Sequence, residues 1–345
     1  MRVVAGVALL GVTGLVAATS ASTLVANHWL YPGLLALAGA IGLVLLVTGL
    51  RRPGPPRQGR LRTALRLAAM LAAVGAAAVL LWLEPFAATD RALAAMTSDS
   101  RVTVTDTRSS VAFVPAGGAD AGKAGLVLYP GAKVDPRAYA VLARGIAERG
   151  HPVVVLKCPL DIALLCGGPD PGQASPATAV WEVAGHSLGG VKASQVVDSQ
   201  MLLLWAAYPV DDLSERRLIV TSISGSRDGL ATPEKIDAAK GLLPEGTEYV
   251  VVAGATHASF GDYGEQPGDG TPTMRREYAE DQIIEATVTR LERRLISFLE
   301  RPCRPAVTSP SWRSAGRRLS PAGPAGPPAS RPPSRRRRGR REARR

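Results

Sequence analysis

Gly185-His186-Ser187-Leu188-Gly189 stands between an apolar run, Trp181–Ala184, that reads as a strand and a stretch from Leu188 that reads as a helix. G-x-S-x-G in a strand–turn–helix setting makes a nucleophile elbow, which lifts the serine hydroxyl above the edge of a sheet. So tight a turn leaves no room for side chains at Gly185 and Gly189. A neutral serine is a weak nucleophile. It needs a base, and the base needs an orienting carboxylate.

The chain has only four histidines. His28 lies in an apolar N-terminal region, His151 opens a strand at the sheet edge opposite the elbow, and His186 is fixed beside the nucleophile. His257, in Gly254-Ala255-Thr256-His257, follows the last expected strand at its C-terminal end, where the ligand loops of open α/β sheets gather. The acid should fall between serine and histidine in the chain. Asp228, in Gly225-Ser226-Arg227-Asp228-Gly229, is the preferred acid, and Asp211 and Asp212, after the preceding strand, compete with it.

Outward from the elbow, the pattern predicts strands at Val102–Thr105, Ser110–Val114, Gly125–Tyr129, Pro152–Lys157, Val180–Ala184, Met201–Ala206, Leu218–Ser224 and Thr247–Val252. Helices fit Pro136–Arg149, Leu188–Val197, Pro233–Gly241 and Arg276–Glu300. Continuous apolar strands alternating with helices indicate a mostly parallel sheet covered on both faces. The first two strands are too close for a crossover helix and predict an antiparallel edge hairpin.

Three apolar runs precede this α/β region. Val3–Ala26 and Trp29–Leu50 carry no charge and exceed the roughly 18 residues expected of a membrane span. Leu67–Leu83 is shorter, and Arg62, Arg66 and Glu84 could extend it by reaching the headgroups. Arg51, Arg52, Arg57, Arg60, Arg62 and Arg66 lie between the second and third runs, which predicts a cytoplasmic loop and a domain outside. A first run cleaved as a signal peptide leaves that topology unchanged.

The formal charge of +12 is unevenly spread: +5 over residues 1–90, −6 over 91–300 and +13 over 301–345. The mildly acidic middle excludes a basic nucleic-acid-binding domain. The three cysteines form no Cys-x-x-Cys pair, which argues against structural zinc; Cys158 and Cys166 either pair or stay free. The expected organisation is an anchor over 1–90, a folded domain over 91–300 and a disordered Pro/Arg-rich tail over 301–345. The Arg335–Arg338 run could meet anionic polymers or lipid headgroups.

Tyr129-Pro130-Gly131-Ala132, GHSLGG at 185–190, GSRDG at 225–229 and GATHASFGDYG at 254–264 together resemble the α/β-hydrolase family. The likeness is to compact bacterial serine hydrolases related to dienelactone hydrolase and covers residues 100–300. It implies an eight-stranded sheet, a Ser187–Asp228–His257 triad and an oxyanion hole made by the backbone N–H groups of Leu188 and Ala132. Dienelactone hydrolases use a cysteine where this chain has Ser187, so their substrate does not carry over. Asp262 and Asp269 in glycine-rich turns, Lys133 and Asp135 near the oxyanion loop, and Trp205 and Tyr208 after the sixth strand have structural readings beside functional ones. The short connection from Ala206 to Leu218 leaves no room for a lid. The reading is a membrane-anchored hydrolase of a small or lipid-like acyl ester or thioester, without metal or cofactor. An acyltransferase and a non-catalytic anchored binding module are the alternatives.

Overall fold

A computed structural model describes residues 1–51, 59–118, 123–167, 175, 178, 180–196 and 199–299. The expected tail, Cys303, Arg52 and Arg57 lie outside them. Residues Met1–Arg301 form one compact unit.

The chain opens with α1 (Arg2–Thr19), α2 (Ala21–Ala26), α3 (Leu30–Leu50) and α4 (Arg60–Trp82). Of these, α1, α3 and α4 are long and apolar enough to cross a membrane. The expected first span, Val3–Ala26, is not continuous. It breaks at Ser20, where φ is −125°, and the hydroxyls of Thr19 and Ser20 each donate to Glu84 Oε1 at 2.6 Å. Short hydroxyl side chains suit helix ends better than interiors, which favours the break there. The third expected span is α4, which starts at Arg60, ahead of the expected Leu67, and carries Arg60, Arg62 and Arg66 within it.

Helices α1 and α3 pack at close range. A Cβ on Gly6 would sit 2.8 Å from the Gly42 carbonyl oxygen, so the two backbones touch where side chains are missing. Small residues drive such contacts in lipid, where apolar burial between helices gains nothing. Tyr31 Oη donates to the Leu80 carbonyl at 2.7 Å and ties the start of α3 to the end of α4. Val4, Val7, Leu43, Val44, Leu71 and Val79 remain exposed on the outer faces of these helices.

After α5 (Asp90–Ala94) come β1 (Val102–Asp106), β2 (Ser110–Pro115), β3 (Gly125–Tyr129), α6 (Ala140–Ala147), β4 (Val153–Leu156), β5 (Trp181–His186), α7 (Leu188–Ser194), β6 (Met201–Trp205), β7 (Ile219–Gly225), α8 (Pro233–Ala238), β8 (Glu248–Val252) and α9 (Arg276–Leu299). The eight strands form one sheet in the order β1-β2-β4-β3-β5-β6-β7-β8. β1 pairs antiparallel with β2, and β2 with β4; the remaining pairs are parallel. The expected eight-stranded, mostly parallel α/β-hydrolase sheet with its antiparallel edge hairpin is therefore present.

Alternate residues of the central strands enter opposite cores. Leu126 and Leu128 join Phe113, Ile146, Trp205 and Ile283 on one face, while Val127 and Tyr129 join Leu202, Leu204 and Val220 on the other. Burial on both faces explains why these strands read as unbroken apolar runs rather than alternating ones. The expected helix Pro136–Arg149 is a 3-10 turn, Pro136–Tyr139, followed by α6. Asp135 Oδ1 accepts the Arg137 N–H at 2.9 Å and caps that turn.

Candidate active site

The turn between β5 and α7 places Ser187 at φ 53° and ψ −123°, a backbone conformation that L residues rarely adopt. Sterics enforce it. A Cβ on Gly185 would lie 2.1 Å from Gly189 O, and one on Gly189 would lie 2.1 Å from Tyr129 O. Among the described residues, non-glycine positions with positive φ are Lys133, Leu160, Asp161, Ser187 and Ala206. They follow β3, β4, β5 and β6, so the backbone strain gathers at the C-terminal edge of the sheet.

His257 lies in the loop after β8 and donates Nδ1–H to Asp228 Oδ2 at 2.9 Å. Both side chains are buried. Asp228 Oδ1 accepts the N–H groups of Leu230 at 2.8 Å and Ala231 at 2.7 Å, which leaves Oδ2 for the imidazole. With its proton on Nδ1, His257 turns a basic Nε2 inward, and that atom is buried without a hydrogen-bond partner. The bond from Ser187 to Nε2 is not made in this conformation. The His257 ring lies 4.7 Å from the ring of His186, the residue before Ser187. Catalytic hydrogen bonds are often long in substrate-free enzymes and tighten when substrate binds.

Asp211 and Asp212 lie elsewhere. Asp211 accepts from Gln195 Nε2 at 3.4 Å and Asp212 caps the N–H of Ser214 at 2.9 Å. Asp269 has a larger part than a turn residue. Its oxygens accept the N–H groups of His257 (3.0 Å), Ala258 (2.8 Å), Gly229 (3.1 Å) and Gly270 (2.7 Å), tying the histidine loop to the Asp228 loop. Burial pulls its carboxyl up, but these four N–H groups outweigh burial and hold it below the usual carboxylate range. The only sequence signal for this was an aspartate flanked by glycines shortly after His257.

The N–H groups of Leu188 and Ala132 have no acceptor among the described residues. Around Ala132 the neighbouring N–H groups are engaged: Gly131 N–H donates to Tyr139 Oη at 2.7 Å, Lys133 N–H to Asp161 O at 2.7 Å, and Val134 N–H to Gly131 O at 3.3 Å. Tyr139 Oη in turn meets His186 Nδ1 at 2.8 Å. Burial, with His257 beside it, pushes the His186 imidazole well below its ordinary pKa. Tyr139 Oη already accepts the Gly131 N–H, which leaves its own O–H to donate to His186 Nδ1 and completes a chain from the loop after β3 to the elbow. Sequence reasoning missed Tyr139, because nothing in Pro136-Arg137-Ala138-Tyr139 marks it.

The other candidates have structural partners. Asp262 binds Arg91 at 2.9 Å, and Trp205 is wholly within the core. Lys133 Nζ donates to the Trp82 carbonyl and lies 4.6 Å above the Trp82 ring. Asp135 accepts from Arg137 and from Thr23 Oγ1 at 3.2 Å. Cys158 and Cys166 form a disulfide. No cluster of three or more metal-ligating side chains occurs among the described residues.

Residues 125–281 match the alpha/beta hydrolase family. No curated protein matches the chain by sequence. Among solved structures, an alpha-beta serine hydrolase homologue from Coxiella burnetii is 14% identical over 56% of this chain and 99% of its own, with a TM-score of 0.36. A serine hydrolase without a lid from Xanthomonas campestris is 14% identical over 60% and 99%, with a TM-score of 0.37. An esterase domain from Rhodothermus marinus is 10% identical over 56% and 98%, with a TM-score of 0.39.

Proposed function

We propose that this member of the α/β-hydrolase family is a membrane-anchored serine hydrolase that cleaves a carboxylic ester or thioester. The observation that carries the reading is the buried Asp228–His257 pair, 2.9 Å apart, beside the strained elbow that presents Ser187. Ser187 Oγ attacks the acyl carbon as His257 Nε2 takes its proton. Asp228 holds the imidazole tautomer and stabilises its cation. The unengaged N–H groups of Leu188 and Ala132 receive the developing oxyanion, a contribution of roughly 3–4 kcal/mol per donor in comparable sites. His257 then protonates the leaving oxygen or sulfur, which departs and leaves the acyl group on Ser187. Water, deprotonated by His257, attacks the acyl-enzyme; His257 returns that proton to Ser187 Oγ as the C–O bond breaks and the acid leaves.

The three apolar helices supply the anchor. Arg2, Arg51 and Arg60 sit at the helix ends away from the domain, which supports a cytoplasmic side there. The Cys158–Cys166 disulfide belongs in an oxidising compartment and supports a domain outside the cytoplasm.

Covalent labelling tests the reading. A fluorophosphonate should label the full-length protein, and Ser187→Ala should abolish both labelling and ester turnover. Turnover by Ser187→Ala at the wild-type rate would sink the mechanism. Product analysis with an added alcohol separates hydrolysis from acyl transfer.

A further inference from the structure

The edge of the sheet that carries the site is also the edge that rests on the helix ends. The C-terminus of α1, the start of α3 and the C-terminus of α4 meet at one level, joined by the bonds from Thr19 and Ser20 to Glu84 and from Tyr31 to Leu80. At that level the chain after α4 pairs with the oxyanion loop. Phe86 N–H donates to Lys133 O at 2.6 Å, Asp135 N–H donates to Phe86 O at 3.0 Å, and Phe86 and Val134 form a β-bridge. From the other side, Asn27 Nδ2 donates to both Asp161 oxygens, at 3.2 and 3.1 Å, and Asp161 O holds Lys133 N–H. Leu160 and Ile162, after β4, pack on the apolar cluster of the helix bundle.

The surroundings have the character of a membrane interface. Trp29 and Trp82, at the ends of α3 and α4, are 65% and 64% exposed, as aromatic side chains at the headgroup level are. Beside α2, a cleft of about 760 Å³ is lined by Asp106, Arg108, Arg137 and Lys157, with Lys157 paired to Asp106 and Arg137 to Asp135, which leaves Arg108 to face an anionic headgroup. The 3-10 turn Ala163–Leu165 packs against α7, the helix that begins at the nucleophile elbow, and presents Leu164 and Leu165 at 46% and 50% exposure. Adjacent exposed leucines beside the site, continuous with lipid-facing helices, belong in the acyl region of a bilayer.

We infer that the site opens onto the bilayer surface and takes an amphiphilic, long-chain acyl ester directly from the membrane, rather than a dissolved short-chain ester. This rests on the membrane-anchored serine hydrolase reading above. The ester enters with its carbonyl at the headgroup level, and hydrolysis leaves a carboxylate and an alcohol at that level.

The test uses the full-length protein in phosphatidylcholine vesicles, given either a fluorogenic long-chain acyl ester within the bilayer or a water-soluble acetyl ester. Diluting the embedded ester with a non-hydrolysable ether lipid, at constant bulk concentration, should lower turnover in proportion to its surface fraction. The double substitution Leu164→Glu with Leu165→Glu should lower the ratio of embedded to soluble turnover by about tenfold or more. Turnover that follows bulk concentration and ignores surface dilution, in protein that fluorophosphonate still labels, overturns this inference alone. Absence of labelling and of turnover on both esters overturns the serine hydrolase reading on which it stands. The dilution experiment needs no variant, so a misfolded double substitution does not blunt it.

Discussion

Tyr139→Phe removes one oxygen from the link between the oxyanion loop and the elbow. That oxygen accepts the Gly131 N–H at 2.7 Å and donates to His186 Nδ1 at 2.8 Å, wholly inside the protein. Phenylalanine keeps the ring packing and leaves two buried polar groups unpaired, at about 1–3 kcal/mol each, so unfolding should become about 2–6 kcal/mol easier. Catalysis should suffer separately, because the Gly131 N–H fixes the loop that presents Ala132 N–H. Deleting an oxyanion donor outright costs about 10²–10³ in kcat, and a displaced donor loses part of that. The expected fall in kcat is therefore about 10–100-fold, with KM within about twofold, since the donor acts mainly in the transition state. The assay is steady-state ester hydrolysis by purified wild type and variant, alongside urea unfolding. A destabilised variant with wild-type kcat would refute the reasoning, because the hydroxyl would then hold the fold and not the oxyanion geometry.

Asp228→Asn should lower turnover on the order of 10⁴-fold by disturbing the His257 tautomer, whereas Asp211→Asn and Asp212→Asn should stay near wild type in the same assay; the reverse pattern would move the acid to the loop after β6. Asp161 is pushed up to about 7, mainly by burial and further by Asp135, against the pull of Asn27, Lys157 and Arg137. The folded state then holds its proton more tightly than the unfolded chain, and this group lowers stability as pH rises from about 4 to about 7. Asp161→Asn, which does not titrate, should therefore gain in thermal midpoint relative to wild type across that range, and a constant difference would show that Asp161 does not titrate there. A reporter fused after residue 300 should be active only if it is a type that requires export, and activity of a cytoplasm-requiring reporter would reverse the topology.

The likeness to the α/β hydrolases and most of the sheet are legible in the sequence. Gly125–Tyr129 was read with the bounds it has, because a parallel strand buried on both faces leaves an unbroken apolar run between turn residues. Ser187, Asp228 and His257 could be singled out because the elbow is a local motif, histidines are few, and the strand ends that carry the other two are visible in the pattern. The structure brings Asp228 and His257 into contact and places Ser187 on the same edge. Helix ends were less legible. The break at Ser20 depends on Glu84, 64 residues away, and no window on Val3–Ala26 contains that partner.

Local pattern in the sequence thus determined the α/β architecture, the elbow, the apolar helices and a short list of polar residues at the C-terminal strand ends. These follow from periodicity, turn sterics and composition within a few residues of each position. The tertiary structure alone decided that Asp228 rather than Asp211 or Asp212 meets His257, that Asp269 ties two loops together, and that Tyr139 links the loop after β3 to the elbow. It alone laid the N-terminal helices against the edge that carries the site, through contacts such as Thr23 with Asp135 and Asn27 with Asp161, 112 and 134 residues apart. Each of these residues is an ordinary polar side chain in its own stretch of chain. Its partner is chosen by how the sheet orders its strands and where the bundle docks, and side chains so distant in sequence meet only when the whole chain has packed.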